Sequence, residues 1–224
     1  MTQSLFDIVG PVMVGPSSSH TAGAVRLGLL ARNIAERPIV QAECVLYNSF
    51  AQTYKGHGTD RGLVAGLMGF AVDDERIRDV LTLLPQSGFQ VLITPDFSEN
   101  HYPPNTVVFH LVLDNAETLT IVGHSVGGGK VYVSQFNKIN VILKGDTPTL
   151  LLFYKDQPGM IWRVTKVIAE EGINIASLTC TRRLRGVEAL MTIALDTQLS
   201  DTGVAEIRLI ENIYTMKRID ALAL

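Results

Sequence analysis

The chain has 224 residues, 46% of them apolar and 18% charged, with nineteen basic against twenty-two acidic side chains for a net charge of −3. That balance gives no broad basic face for nucleic acid or an anionic membrane, and the length leaves room for one large domain or two small ones. The charged fraction lies below the usual quarter, which points to surface covered by a partner.

Residues 1–7 carry neither a basic segment nor a long apolar stretch, so no signal peptide is expected, and the most apolar run, residues 62–72, is too short to span a bilayer. The pattern predicts a short helix over 4–9. Gly15-Pro16-Ser17-Ser18-Ser19-His20-Thr21 comes next, ahead of Ala24, Leu27, Ala31 and Ile34 at helical spacing. Ser and Thr are ordinary helix caps, and a helix start also offers unpaired N–H groups and a positive dipole end to a carboxylate or phosphate. Both readings fit the run, and His20 adds a group that titrates near neutral pH.

A strand over 39–47 leads to Tyr54-Lys55-Gly56-His57-Gly58-Thr59-Asp60, then to a helix over 60–70 with Leu63, Val64, Leu67 and Met68 on one face. Glycines on both sides of His57 remove bulk around the imidazole, as suits an exposed base or a plain loop histidine, and Thr59 or Asp60 is the expected helix cap. A helix over 74–84 and strands over 89–94, 107–113, 119–122 and 130–143 follow, with an ordered loop at Pro103-Pro104. This half is mixed α+β, and its strand order does not follow from the pattern.

Gly123-His124-Ser125-Val126-Gly127 matches the G-x-S-x-G nucleophile elbow, but strand-like alternation follows where the elbow needs a helix, and no histidine occurs after His124. Lys130 is followed by Val131 rather than the Ser or Thr of a P-loop. Gly127, Gly128 and Gly129 therefore read as a tight turn or a backbone nest for an anion. Cys44 and Cys180 each lie in an apolar, strand-like segment without metal-ligand spacing, as expected of reduced, buried thiols in a cytoplasmic protein. Two cysteines cannot hold a cluster that needs three or four thiolates.

Lys144-Gly145-Asp146-Thr147-Pro148 marks the domain boundary, giving domains over 1–145 and 148–224. Beyond it the pattern is regular. A buried strand over 149–154 precedes a turn at Gln157-Pro158-Gly159 and a helix with Ile161, Val164, Val167 and Ile168 on one face, stopped by Gly172. A strand from Gly172-Ile173-Asn174-Ile175 to about Arg182, a turn at Arg185-Gly186, and alternating Val187, Ala189, Met191, Ile193 and Leu195 follow. A helix from about Asp201 and a strand over 213–219 complete a ferredoxin-like βαββαβ unit, with the basic run at Arg182 to Arg185 read as a solvated turn.

This second half resembles an ACT domain, on its element order together with Asp156-Gln157-Pro158-Gly159 and Gly172-Ile173-Asn174-Ile175. The resemblance implies an amino-acid regulatory site involving Pro158, Gly159 and Asn174, and the edge strand from Ile213 and the helix faces of this half are expected to pair it as a homodimer. Whether the ligand is serine, an ion or nothing stays open.

In the first half, Gly-Pro-Ser-Ser-Ser-His-Thr, Lys55-Gly56-His57-Gly58-Thr59-Asp60 and Ser125-Val126-Gly127-Gly128-Gly129 jointly resemble the beta portion of the bacterial iron–sulfur-dependent L-serine dehydratases. By that resemblance this half folds like the allosteric substrate-binding domain of phosphoglycerate dehydrogenases. The implied reaction turns L-serine into pyruvate and ammonia, with a [4Fe–4S] cluster held by a partner alpha chain and this chain inactive without it. His57 is then the expected base and His20 a group that orients the substrate. Ser17, Ser18, Ser19 and Thr21 would grip the substrate, with Gly127, Gly128 and Gly129 closing the site. Where the fuller family form has a second histidine after His57, this chain has Gly58. The competing expectation is a non-catalytic amino-acid sensor.

Overall fold

The computed structural model describes residues 12–222, so the helix expected over 4–9 lies outside the described residues. They fall into two compact units, one ending at Lys144 and the other spanning Gly145–Leu222.

In the first unit a π-helical turn, Ser18–Ala22, runs straight into α1 (Gly23–Ala35). Ala24, Leu27, Ala31 and Ile34 are buried as their spacing predicts, but so are Val25, Gly28, Leu30 and Ala35. A helix that is apolar nearly all round must be covered on both sides. The sheet packs on one side, where a Cβ at Gly123 would lie 2.8 Å from Leu27 Cδ2. The other side receives α3 (Thr59–Met68) at glycine contacts. A Cβ on Gly28 would sit 2.6 Å from the Leu63 carbonyl, one on Gly62 2.7 Å from the Thr21 carbonyl, and one on Gly66 would collide with the Val25 carbonyl. Val25, Val64, Ala65, Ile77 and Val80 make a smaller core on that outer side.

The sheet has six strands in the order β2-β1-β3-β4-β5-β6. These are β1 (Ile39–Asn48), β2 (Gln90–Asp96), β3 (Asn105–Leu113), β4 (Thr118–Gly127), β5 (Lys130–Phe136) and β6 (Ile139–Leu143). Only β1 and β2 pair parallel, and the crossover between them carries α2 (Ser49–Thr53), α3 and α4 (Val80–Leu83). The helix expected over 74–84 is in fact two 3-10 turns around the single α-helical turn of α4. Asp79 leaves helical geometry at φ −113°, ψ 12°, and Pro85 has no N–H to continue the ladder. The strand expected over 130–143 is a hairpin, because Asn137 and Lys138 both take positive φ, 46° and 66°, in a two-residue turn.

The second unit is a four-stranded antiparallel sheet, β10-β7-β9-β8. Its elements are β7 (Thr149–Tyr154), α5 (Met160–Glu170), β8 (Ile175–Leu184), β9 (Glu188–Leu195), α6 (Asp201–Arg208) and β10 (Ile213–Ile219), the expected βαββαβ order. Central β7 is buried throughout, and its core includes Leu152, Val164, Ile168, Met191 and Ile207. Three expectations need correction. Met160 rather than Ile161 takes the buried place on α5, Val187 is exposed in the turn before β9, and Cys180 is exposed because β8 is an edge strand.

The close α1–α3 crossing predicts that Gly66→Ala, which forces a methyl into backbone, destabilises the fold by about 1–3 kcal/mol. Gly56→Ala, whose Cβ would have no non-neighbouring atom nearer than 3.7 Å, should be close to neutral. Urea midpoints followed by circular dichroism check this, and equal midpoints for the two variants would contradict the packing.

Candidate functional site

Ser17 is extended, φ −139° and ψ 124°, and its Oγ accepts the His20 N–H at 3.1 Å, so one serine of the run is a helix cap. Its carbonyl accepts from both Thr21 N at 2.8 Å and Ala22 N at 3.2 Å, the mark of a turn widened from α to π spacing. The N–H groups of Ser18 and Ser19 precede any intrahelical acceptor and find no partner among the described residues. The Ser18 side chain likewise has none among them. Capping and free N–H groups therefore coexist in the same turn.

This turn is tied to two distant segments. The Thr21 hydroxyl donates to the His57 carbonyl at 2.7 Å, and the Ser125 hydroxyl of β4 donates to the Ser19 carbonyl at 2.9 Å. All three motifs found in the sequence thus meet. Gly128 and Gly129, with φ 60° and 76°, make the two-residue turn between β4 and β5, so the glycines resolve as a turn close to the serine run. Ser125 lies in a strand, not an elbow.

The His20 ring has both nitrogens engaged: Nδ1 lies 3.0 Å from Ser19 Oγ and Nε2 lies 3.0 Å from Ser49 Oγ. Burial lowers its pKa, as does the neighbouring His57, while the backbone at Ser49 partly offsets both. Both partners are hydroxyls, which donate or accept, so these bonds fix the plane of the ring and fit either neutral tautomer. His57 differs. Its backbone N–H is held by the Thr53 carbonyl at 3.0 Å, but its imidazole is exposed and forms no hydrogen bond among the described residues. The two rings meet edge to face, with centroids 5.0 Å apart and planes at 62°. The expected cap at Thr59 or Asp60 is not formed: Gly58, at φ 67°, holds the cap position, and Asp60 accepts only from the next residue, Arg61. Thr59 Oγ1 is buried without a partner.

Ser49 and Asn48 escaped the sequence reading. They end β1 in an ordinary-looking Tyr47-Asn48-Ser49, and only the positive φ of Asn48 singles them out. On the sheet face away from α1, buried His124 accepts and donates between Thr106 and Ser134. Thr106 Oγ1 gives its proton to the Pro103 carbonyl at 2.8 Å, so it must accept from His124 Nδ1 at 2.7 Å. Nε2 then takes the Ser134 proton at 2.6 Å. The neutral ring is fully satisfied, and burial lowers its pKa to about 4.

In the second unit, Pro158 and Gly159 line a cleft with Tyr154, Trp162, Cys180 and Arg182 at the start of α5. Asp156 pairs there with Arg182 at 2.7 Å and accepts Gly186 N at 2.7 Å, which lowers its pKa, the Gly186 bond first. Asn174 is elsewhere. It bonds Asp196 at 2.9 Å beyond the other end of α5, a helix of eleven residues or about 16 Å. Among the described residues no three His, Cys, Asp or Glu converge as metal ligands. Cys44 is buried in β1, where burial drives its pKa up, and Cys180 is exposed in the second unit.

Residues 4–135 match the family model described as Serine dehydratase beta chain, and residues 149–208 match the ACT domain model. The chain is 36% identical over 217 residues to "L-serine dehydratase, beta chain" of Peptoniphilus asaccharolyticus, covering 97% of this chain and 98% of that one. It shows the same identity and coverage with "Probable L-serine dehydratase, beta chain" of Bacillus subtilis (strain 168). A "D-3-phosphoglycerate dehydrogenase" of Synechocystis sp. is 24% identical over 204 residues, 87% of this chain but 35% of that one.

The buried, neutral His124 predicts a pH effect. Its folded pKa lies below the ordinary 6.5, so its stabilisation is complete above about pH 6.5 and is lost as pH falls towards about 4, up to about 3 kcal/mol. Urea midpoints over that range should fall in the wild type. In His124→Gln the slope should be reduced, and an unchanged slope would contradict the assignment.

Proposed function

The chain belongs to the serine dehydratase beta chain family, and from that premise we propose that it is the proton-abstracting subunit of an L-serine ammonia-lyase. The reaction converts L-serine to pyruvate and ammonia. A base removes the Cα proton, the β-hydroxide leaves, and the resulting aminoacrylate tautomerises and hydrolyses. The observation that carries the reading is the pairing of an exposed, unengaged His57 imidazole with a half-buried His20 whose pKa is lowered beside it.

His57 takes the Cα proton, since its ring nitrogens are free to approach substrate and a weakly acidic C–H needs a positioned base. His20, with both nitrogens bonded within the protein, orients the site and carries no competing positive charge. The free N–H groups of Ser18 and Ser19, at the positive end of α1, receive the substrate carboxylate, with the hydroxyls of Ser17, Ser19 and Thr21 holding the turn that presents them. The turn at Gly127, Gly128 and Gly129 closes the site from the Ser125 side. Hydroxide departure calls for a Lewis acid. We assign that role to a [4Fe–4S] cluster ligated by a partner alpha chain, because the thiols of this chain do not fit one, and we expect this chain to be inactive alone. Two free cysteines suit a reducing compartment, the cytoplasm.

The ACT unit is proposed to regulate by binding an amino acid. Because Pro158 and Gly159 lie at one end of α5 and Asn174 beyond the other, one small ligand touching all three needs a second copy of the chain. The unit leaves two sheet edges for pairing, β10 and β8.

Reconstituted with its alpha chain, His57→Ala should lose about 100- to 10,000-fold in turnover of L-serine while iron content and circular dichroism stay as in the wild type. Wild-type turnover in that variant would overturn the assignment. Light scattering of this chain alone should give the mass of two copies, and a monomer at all concentrations would contradict pairing.

A further inference from the structure

Asn48 has φ 54° and ψ −124°, a backbone region that glycine enters freely and other residues enter only when their surroundings impose it. The surroundings here are specific. Asn48 Nδ2 donates to the Tyr102 carbonyl at 2.7 Å, to Asn100 Oδ1 at 3.1 Å and to the Pro103 carbonyl at 3.3 Å. The Asn100 amide returns a bond to Asn48 Oδ1 at 3.2 Å, so the two amides clasp each other. The clasped segment then reaches the next residue, its Pro104 carbonyl accepting the Ser49 N–H at 2.8 Å.

Ser49 is thereby fixed from several sides. Its carbonyl accepts from Thr53 Oγ1 at 2.8 Å, and its hydroxyl stands 3.0 Å from His20 Nε2. We propose that Asn48, clasped to Asn100, is a positioning residue that holds Ser49 against His20 and so sets the tautomer of that imidazole. The inference rests on reading His20 and His57 as one reaction site. An Ala at position 48 would keep the strained backbone without the clasp that sustains it. A Gly would relieve the strain and still lose the clasp. Ser49 then swings free in either variant, and the His20 ring samples both tautomers.

The test uses Asn48→Gly, Asn48→Ala and Asn100→Ala in the full chain, reading the ring-nitrogen NMR signals of His20. The same variants, reconstituted with the alpha chain, are then assayed on L-serine. The wild type should show one tautomer, and each variant a mixture of two. Turnover should fall about tenfold or more in kcat with KM changed by no more than about twofold, because ground-state contacts are untouched. A single tautomer in Asn48→Gly and Asn100→Ala, the same as in the wild type, overturns the proposal. A tautomer mixture with wild-type kcat supports the hold of Asn48 on His20 and overturns the part of His20 in the reaction. Should Asn48→Ala fail to fold, the other two variants decide, since Asn48→Gly relieves the strained backbone and Asn100→Ala keeps the bonds from Asn48 to the Tyr102 and Pro103 carbonyls.

Discussion

The hydrogen bond from the Thr21 hydroxyl to the His57 carbonyl is the contact on which the rest of the site depends. It joins a turn that begins a helix to a loop that precedes another, and the two helices are locked together directly behind it. At that crossing Gly62 leaves room for the Thr21 carbonyl, and Gly28 and Gly66 let the backbones of α1 and α3 approach each other. The chemistry-bearing segments are therefore positioned by the close packing of α1 on α3, not by the loops that carry them. Ser125 fixes the same turn to the sheet through the Ser19 carbonyl. Loop and strand converge on Thr21 and Ser19 of the turn.

The electrostatics follow from that geometry. Two imidazoles 5.0 Å apart share one small volume, and burial and the second ring together lower the pKa of His20. His20 is neutral and doubly hydrogen-bonded, His57 exposed and unengaged. The sequence offers two similar histidines beside two similar helix starts, and burial makes them different groups. His124 shows the same principle carried further: with two hydroxyl partners and no neighbouring charge, it stays neutral far below the usual range.

How much of this was legible depended on whether the signal was local. The spacing of Ala24, Leu27, Ala31 and Ile34 located α1, and the alternation of Ala189, Met191, Ile193 and Leu195 located β9, because burial on one face writes a period into the chain. The motifs at His20, His57 and Gly127 to Gly129 were readable as composition. Their convergence was not, since nothing local links Thr21 to His57 or Ser19 to Ser125. Ser49 and Asn48 were missed for a related reason: an Asn in a left-handed-type conformation is written with the same letter as any other Asn. Cys180 was misplaced because an edge strand and an interior strand share a vocabulary, and only the sheet order separates them.

His20 and His57 form one electrostatic unit, in which burial first and the His57 imidazole second press the His20 ring towards neutrality. The most direct measurement is an NMR pH titration of the His20 ring nitrogens in the wild-type chain and in His57→Ala. The account predicts a His20 midpoint below the ordinary histidine value in the wild type, rising when the second imidazole is removed. A midpoint that does not move on replacing His57 would contradict it.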